Sequence, residues 1–338
     1  MLLRLEKHPS CRPARSFGQR MLWERRQGDR GLPVHLYGKR STSSQSLPAP
    51  APCWLRPDSG LARSGGSGQH GRMVKLRPET VAAASVVGEA LELARAGTGV
   101  VHVKVARDVV TDTDVVIEDS VRRSLMSSFG WPVIGEERGG DAPDKGPYWL
   151  VDPICGTRNF ASGIPLFSVN VALVESGEPT VAVVGDGSSG DILVAEAGNS
   201  CWSAGSGSLS RLWTSQRSLT VDFGAWPKAG AGRDRAAAKL AAAVGADRWD
   251  VRCLGTTLAL AHVARGRLAG CVLFAPAGQE HTAAGVLLVR EAGGKVTDAR
   301  GRDWALGSEE LIASADDKIS HELLELLQRR EVDVECSG

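Results

Sequence analysis

Residues 148–160, YWLVDPICGTRNF, decide the fold and the chemistry predicted for this chain. The stretch starts with a continuous apolar run over 148–151, which is typical of a buried strand, and Asp152-Pro153 closes the run. Gly156 follows, and a glycine lets the backbone approach a ligand closely because it has no Cβ. The stretch therefore predicts a carboxylate at a strand end, beside a turn in which the amides of Gly156 and Thr157 can hold a phosphate oxygen.

A second acidic element, Gly135-Glu136-Glu137, follows another predicted strand, and Glu136 lies 16 residues before Asp152. Ligand sites of open α/β sheets lie at strand ends. Two carboxylates there can bind a hard divalent cation, which prefers oxygen ligands, and Ile154 can add its backbone carbonyl. Each motif alone is typical of an ordinary turn or strand end, but their order and spacing favour a metal site.

The chain from residue 73 onward predicts helices and strands in two halves. Pro78 suits a helix start and Gly97 a helix end, which predicts a helix over 78–96, and a second helix is predicted from 112–114 to 129. Val- and Leu-rich runs then favour a mostly antiparallel sheet, and helices alternate with strands after about residue 215. We expect an N-terminal α+β half over 73–212 with the metal-site motifs, and a C-terminal α/β half over 213–338 that completes the site.

Residues 1–72 form a different kind of polypeptide, with 13 Lys and Arg against 4 acidic residues, whereas the remainder has 27 against 35. Ser/Pro/Ala-rich and Gly/Ser-rich runs offer too little apolar area to offset the entropy of ordering. We predict a disordered basic extension, or a start-site artefact, because Met73 directly precedes the first helical pattern. The Arg-rich, acid-poor composition leaves a transit peptide as the alternative.

Composition limits the location and the partners of the chain. The formal net charge of +1 over 338 residues gives no electrostatic case for nucleic acid or for an acidic membrane. No apolar run approaches the length of a transmembrane helix. The seven cysteines show no C-x-x-C pair and indicate reduced thiols in a cytoplasmic protein.

The motifs resemble those of the inositol monophosphatase-like family of magnesium-dependent phosphatases. Members carry Gly-Glu-Glu and then Trp, two hydrophobic residues and Asp-Pro-Ile-Asp-Gly-Thr-x-Asn-Phe, which residues 135–137 and 149–160 match with one replacement. The family's Thr-x-x-Asp matches 111–114, and its Trp-Asp-x-Ala-Ala-Gly falls on 280–285. The resemblance covers about 78–328. It implies an α/β fold, a layered αβαβα sandwich of the inositol monophosphatase and fructose-1,6-bisphosphatase type, and usually a homodimer.

The resemblance also implies a reaction, the hydrolysis of a small phosphomonoester by metal-activated water. Glu136, Asp152 and the Ile154 carbonyl would hold the first Mg²⁺, and Glu136 and Thr157 would position the water. Asp114 would contact these residues without binding the metal itself. A second metal would bind at Asp152 and at the positions of Cys155 and His281.

The sequence departs from the family at this second metal, because Cys155 and His281 replace two aspartates. Magnesium prefers hard oxygen ligands, whereas a thiol and an imidazole suit zinc, so the second site either is empty or holds a softer ion such as Zn²⁺ or Mn²⁺. Phe274 stands where inositol phosphatases place an acidic substrate-binding residue. Arg158 follows Thr157 and contacts either phosphate or a surface acid.

The resemblance and the departures from it leave two functions open. The first is a metal-dependent phosphatase acting on a small sugar, cyclitol or related phosphate. The alternative is a non-catalytic phospho-ligand-binding pseudoenzyme of the same fold.

Overall fold

The structure is a computed structural model that describes residues 61–63, 73–97, 100–104, 109–205, 208–224, 231–275 and 278–328. Most of the predicted basic extension over 1–72, and with it the question of a start-site artefact, lies outside the described residues. The described part of that extension is β1 (Leu61–Arg63), which pairs antiparallel with β2 (Met73–Lys75) just after it. A second hairpin pairs β3 (Val101–Val103) with β4 (Val109–Thr111).

A seven-stranded sheet carries the first half of the fold. Its spatial order is β11-β10-β9-β8-β7-β6-β5, and the neighbours are antiparallel except for β5 and β6. The strands are β5 (Val133–Gly135), β6 (Tyr148–Cys155), β7 (Ser168–Glu175), β8 (Glu178–Asp186), β9 (Ile192–Glu196), β10 (Cys201–Gly205) and β11 (Ser208–Arg211). The central strands β6 and β7 are buried along almost their whole length, because helices cover both faces of the sheet.

Two helices cover the outer face of this sheet, α1 (Pro78–Ala96) and α2 (Asp112–Phe129). Both predicted helices are confirmed. Thr111 caps α2, its side chain accepting from the Asp114 amide while the Asp114 carboxylate accepts from the Thr111 amide. Gly130 ends α2 in the left-handed conformation, with φ 71°.

A five-stranded mixed sheet carries the second half, in the order β13-β12-β14-β16-β15. Its strands are β12 (Thr220–Gly224), β13 (Asp250–Arg252), β14 (Gly270–Leu273), β15 (Lys295–Thr297) and β16 (Leu311–Ser314). The helices α4 (Ala231–Gly245) and α7 (Asp317–Gln328) cover its outer face through a core around Phe223 and Leu323.

The middle layer consists of α5 (Leu258–Ala264) and α6 (Gln279–Glu291), which lie between the two sheets in one shared core. At Gly285 an added Cβ would lie 2.5 Å from the Leu260 Cδ1 atom, so glycine permits the close contact of α6 with α5. The layers therefore follow the order αβαβα, which confirms the predicted fold class. None of the described helices has the length and apolar character needed to cross a bilayer.

Candidate active site

The turn after β5 carries Glu136 to the neighbouring strand β6. The two strands are parallel, with Gly135 opposite Val151, and the Glu136 amide donates to the Val151 carbonyl at 3.1 Å. The next residue of β6 is Asp152. The 16-residue spacing between Glu136 and Asp152 therefore spans the connection between two neighbouring parallel strands. Because the strands are parallel, both carboxylates lie at the same edge of the sheet.

The buried carboxylate of Glu118 on α2 fixes this turn. Its Oε2 accepts from the Glu137 amide at 2.6 Å, and its Oε1 accepts from the Arg138 amide at 2.9 Å and from Arg122 Nη2 at 3.0 Å. An added Cβ at Gly135 would lie 2.1 Å from Glu118 Oε1, so glycine there makes room for the carboxylate. Glu118 was not among the predicted site residues.

The strand β6 continues through the motif to Cys155, whereas the sequence predicted that it ends at Val151. That expectation was wrong, because a β-bulge accommodates Pro153, which has no amide hydrogen to donate. Asp152 lies opposite Asn170 and Cys155 opposite Ser168, so two residues of β6 face one residue of β7 between these pairs.

The bulge decides where the side chains point. In a regular strand, residues three apart lie on opposite faces. Here Asp152 and Cys155 both contact residues of the middle layer, while Ile154 packs into the core on the other face of the sheet. The bulge therefore places a carboxylate and a thiol on the same side of one strand.

His281, in the first turn of α6, completes an Asp–Cys–His cluster consisting of Asp152, Cys155 and His281. Its Nδ1 lies 2.6 Å from Asp152 Oδ2, and one ligand atom from each of the three residues lies within 4.8 Å of the others. In the part of the chain that the structure describes, this is the one group of three or more His, Cys, Asp and Glu side chains with such convergence.

Two neighbours hold the cluster in place. Thr257 donates its amide to Cys155 Sγ at 3.2 Å, and its hydroxyl lies 2.8 Å from the same sulfur. The Asn170 amide nitrogen lies 3.1 Å from the Thr257 hydroxyl and 3.4 Å from Asp152 Oδ2. The other oxygen of Asp152, Oδ1, is buried without a hydrogen-bond partner among the described residues.

The charged groups of the site shift one another's pKa values. Burial, and next the negative charge of Asp152, raise the pKa of Glu136 to about 8 against the opposing charges of His281 and Lys104. Burial lowers the pKa of His281, but the charge and hydrogen bond of Asp152 outweigh it and place that pKa well above its usual value. Burial and the charge of Asp152 raise the pKa of the Cys155 thiol. The site therefore has two carboxylates that repel each other when no cation lies between them.

Lys104 supplies positive charge at the edge of the site. Its Nζ lies 2.6 Å from Glu137 Oε1 and 3.6 Å from Glu136 Oε1. Sequence reasoning missed this lysine, since it follows a short exposed strand with no motif around it.

The turn after β6 leads into the short helix α3 (Thr157–Ala161). Gly156 has φ 104°, and an added Cβ would lie 2.9 Å from the Leu166 carbonyl oxygen, so both conformation and space require glycine. The Thr157 hydroxyl lies 3.2 Å from Asp114 Oδ1 and 3.0 Å from the Ile154 carbonyl oxygen. Asp114 is fully buried and caps α2, so it links the helix layer to the predicted active-site threonine.

The predicted residues divide into two groups by position. The structure groups Asp152, Cys155 and His281 within 4.8 Å of one another and places Glu136 at the end of the strand that neighbours β6. Thr157 connects the Ile154 carbonyl to Asp114. Arg158 is exposed on the first turn of α3. Phe274 follows β14 and packs against Phe223, with ring centroids 5.9 Å apart.

Comparisons with known proteins agree with this geometry. Residues 73–331 match the sequence model of the inositol monophosphatase family. The inositol-1-monophosphatase ImpA of Mycolicibacterium smegmatis is 34% identical over 221 residues, which cover 63% of this chain and 78% of the relative. A histidinol-phosphatase of Mycobacterium tuberculosis is 46% identical over 76 residues, 22% of this chain and 29% of that protein. The crystal structure of SuhB from Bartonella henselae has a TM-score of 0.69 and 27% identity, and the match covers 75% of this chain and 99% of that one.

Proposed function

Because this chain belongs to the inositol monophosphatase family, it is a phosphomonoester hydrolase, and we propose that it hydrolyses a small sugar, cyclitol or related phosphate with Mg²⁺ as cofactor. The observation that carries this proposal is the convergence of Glu136 and Asp152 from neighbouring parallel strands. The comparisons give no support to a non-catalytic binding protein.

The residues present fit a hard divalent ion at the first site. Asp152 Oδ1 is a buried anionic oxygen without a partner among the described residues, and the charge of Asp152 acts strongly on Glu136. A cation between the two carboxylates would relieve that repulsion, and the Ile154 carbonyl is a third hard donor. When bound, Mg²⁺ lowers the pKa of water and neutralises phosphoryl oxygen charge.

Thr157 and Asp114 form the second part of the proposed machinery. A hydroxyl has a single hydrogen, and the Asp114 carboxylate is the stronger acceptor within reach of it. With that hydrogen directed to Asp114, the Thr157 oxygen keeps lone pairs that accept from the attacking water. Glu136 would accept from the same water, so two acceptors would orient its nucleophilic oxygen towards the phosphorus.

The turn at Gly156 is proposed to receive the phosphate. The first amides of α3 have no carbonyl partner within the helix and can donate to an anion. Arg158 on this turn is proposed as an additional cation for the phosphate.

The residue at position 274 favours a substrate whose alcohol part differs from myo-inositol. An apolar ring at Phe274 offers no acceptor to a ring hydroxyl, and the adjacent contact is the aromatic ring of Phe223. A polyol that loses such a contact binds more weakly, since its hydroxyl is desolvated without compensation. Amino-alcohol and sugar phosphates therefore belong in the substrate screen beside cyclitol phosphates. Homodimerisation stays a prediction from the resemblance.

Phosphate release from a panel of small phosphomonoesters, measured with each of several divalent metals, tests the proposal. Glu136→Gln and Asp152→Asn each remove one carboxylate with little change in volume, and we expect kcat to fall at least about 100-fold. Asp144→Asn is the matched control, because Asp144 is an exposed acid in the connection between β5 and β6. Silence of the folded wild-type protein with every substrate and metal would contradict the proposal.

A further inference from the structure

The Asp–Cys–His cluster has the donor set of a transition-metal site. We propose that Asp152, Cys155 and His281 bind a zinc-type divalent ion, so that this chain pairs one hard and one soft metal site across a shared aspartate. The sharing of Asp152 with a first, Mg²⁺-binding site rests on the proposed function, whereas the soft site itself is argued from the cluster alone.

The distances fit a zinc ion after a small adjustment. Tetrahedral zinc, with Zn–N of about 2.0 Å and Zn–S of about 2.3 Å, keeps its ligand atoms about 3.3–3.8 Å apart. The three donors here lie within 4.8 Å of one another, and the hydrogen bond between Asp152 Oδ2 and His281 Nδ1 is 2.6 Å long. An ion that replaces this hydrogen bond needs the pair to open by about 0.7 Å, from 2.6 Å to about 3.3 Å, which a rotation of the partly exposed imidazole can supply.

The contacts around the sulfur suit a thiolate ligand. The Thr257 amide points at Cys155 Sγ from 3.2 Å, and the threonine hydroxyl lies 2.8 Å away. Hydrogen bonds of this kind orient a ligand and stabilise its deprotonated form. A cysteine that served as packing alone would have apolar neighbours in place of two potential donors.

The carboxylate of Asp152 can serve two ions because its oxygens have different surroundings. Oδ2 faces His281 and Asn170, whereas Oδ1 has no partner among the described residues. One oxygen is therefore engaged by the cluster, and the other has no partner among the described residues and remains available to a second ion.

The ligand chemistry selects against a second Mg²⁺. Magnesium requires near-octahedral oxygen coordination, which a thiol and an imidazole do not provide, while Cys, His and Asp are all common zinc ligands. Three protein ligands also leave a fourth position for a water or a substrate oxygen, as in catalytic zinc sites.

Cobalt spectroscopy on the full chain tests this site without relying on hydrolysis. After the protein has been stripped with a chelator, Co²⁺ is titrated in, and the thiolate-to-cobalt charge-transfer absorption is recorded. We expect one equivalent of Co²⁺ to produce the band, Zn²⁺ to abolish it, and excess Mg²⁺ to leave it unchanged. A folded wild-type protein that shows no band would overturn the proposal, since it would indicate a metal-free Asp–His pair.

The variants separate this proposal from the proposed function. Cys155→Ser should abolish the band and weaken Zn²⁺ binding at least about 100-fold, because loss of a direct ligand exceeds the loss of an outer partner. The control Cys253→Ser removes an exposed thiol and should leave the cobalt band unchanged. Glu136→Gln should keep the band while losing hydrolysis. A wild-type protein that shows the band but hydrolyses no substrate would contradict the hydrolase proposal alone. A band that persists in Cys155→Ser would overturn the soft site.

The double variant Cys155→Asp with His281→Asp provides the converse test. It replaces both soft donors with oxygen ligands, and we expect loss of the cobalt–thiolate band together with a gain in Mg²⁺ affinity measured by calorimetry. An unchanged ratio of Zn²⁺ to Mg²⁺ affinity would contradict the proposal.

Discussion

Replacing Glu118 by glutamine tests whether a buried helix residue positions the turn that carries Glu136. The substitution keeps the shape but turns one acceptor oxygen into an amide donor. Glu118 accepts from two backbone amides at 2.6 and 2.9 Å and from Arg122 at 3.0 Å, and the wild-type carboxylate is fully buried. At least one of these three bonds must be lost.

The size of the effect follows from these contacts. A hydrogen bond to a charged group contributes about 1.5–3 kcal/mol, and breaking a buried ion pair costs about 3–5 kcal/mol. Arg122 is partly exposed and keeps its bond to the Gly139 carbonyl, which places the expected loss near the lower end, about 3 kcal/mol. For a domain of this size, Tm should fall by about 6–12 °C.

Thermal unfolding and phosphate release on the same samples measure both consequences. Displacement of the turn by about 1 Å should lower kcat by about 100-fold while the variant remains folded at assay temperature. The control is Asp119→Asn on the same helix, because Asp119 pairs with Arg138 at an exposed position. Its Tm should shift by less than about 2 °C, since exposed ion pairs contribute little. Equal Tm values for the two variants would refute the reasoning.

Three further substitutions have definite expected outcomes. Gly156→Ala places a Cβ 2.9 Å from the Leu166 carbonyl oxygen at φ 104°, so the free energy of unfolding should fall by about 2–3 kcal/mol and the rate of hydrolysis more than tenfold. The control Gly163→Ala, at φ 74° with no neighbouring atom near the new Cβ, measures the cost of the left-handed backbone conformation without the steric clash. Burial raises the pKa of Asp222 to about 6, so its carboxyl favours folding at low pH and stability is lost as pH rises through 6. Chemical denaturation should show Asp222→Asn gaining about 3 kcal/mol over wild type between pH of about 4 and 7. Burial raises the pKa of Asp186, but hydrogen bonds from Ser188, Ser189 and Arg265 and the charge of Arg265 outweigh burial and lower that pKa to about 2. The ionised carboxylate therefore stabilises the wild type by about 2 kcal/mol above pH of about 4, and this stability is lost as pH falls through 2. Asp186→Asn should lack this contribution. Parallel pH slopes for the two Asp→Asn variants would contradict these assignments.

The sequence was sufficient where local signals determine structure. Pro78 and Gly97 bracket α1, and the Asp residues after Thr111 mark the start of α2. The short strands β11 and β13 were missed, because three or four residues offer too little alternation to distinguish a strand from a loop.

The sequence predicted those residues of the candidate site that lie within its motifs. Spacing indicated that Glu136 and Asp152 lie together, but the continuation of β6 through Pro153 depends on the pairing partner β7. Glu118 and Thr257 have roles that only tertiary contacts define, since Thr257 lies 102 residues from the sulfur it contacts. No local pattern marks such residues in a single sequence.

The close contact between α5 and α6 gives a position that touches no ion an influence on metal selectivity. Gly285 lies one helical turn after His281 on the same face of α6, where the helix touches Leu260 of α5. A bulkier residue there would act as a wedge, tilting the start of α6 and moving the imidazole relative to the Asp152 carboxylate. The volume of a buried side chain at position 285 would then set the distance between His281 and Asp152, without a change in any residue that contacts an ion.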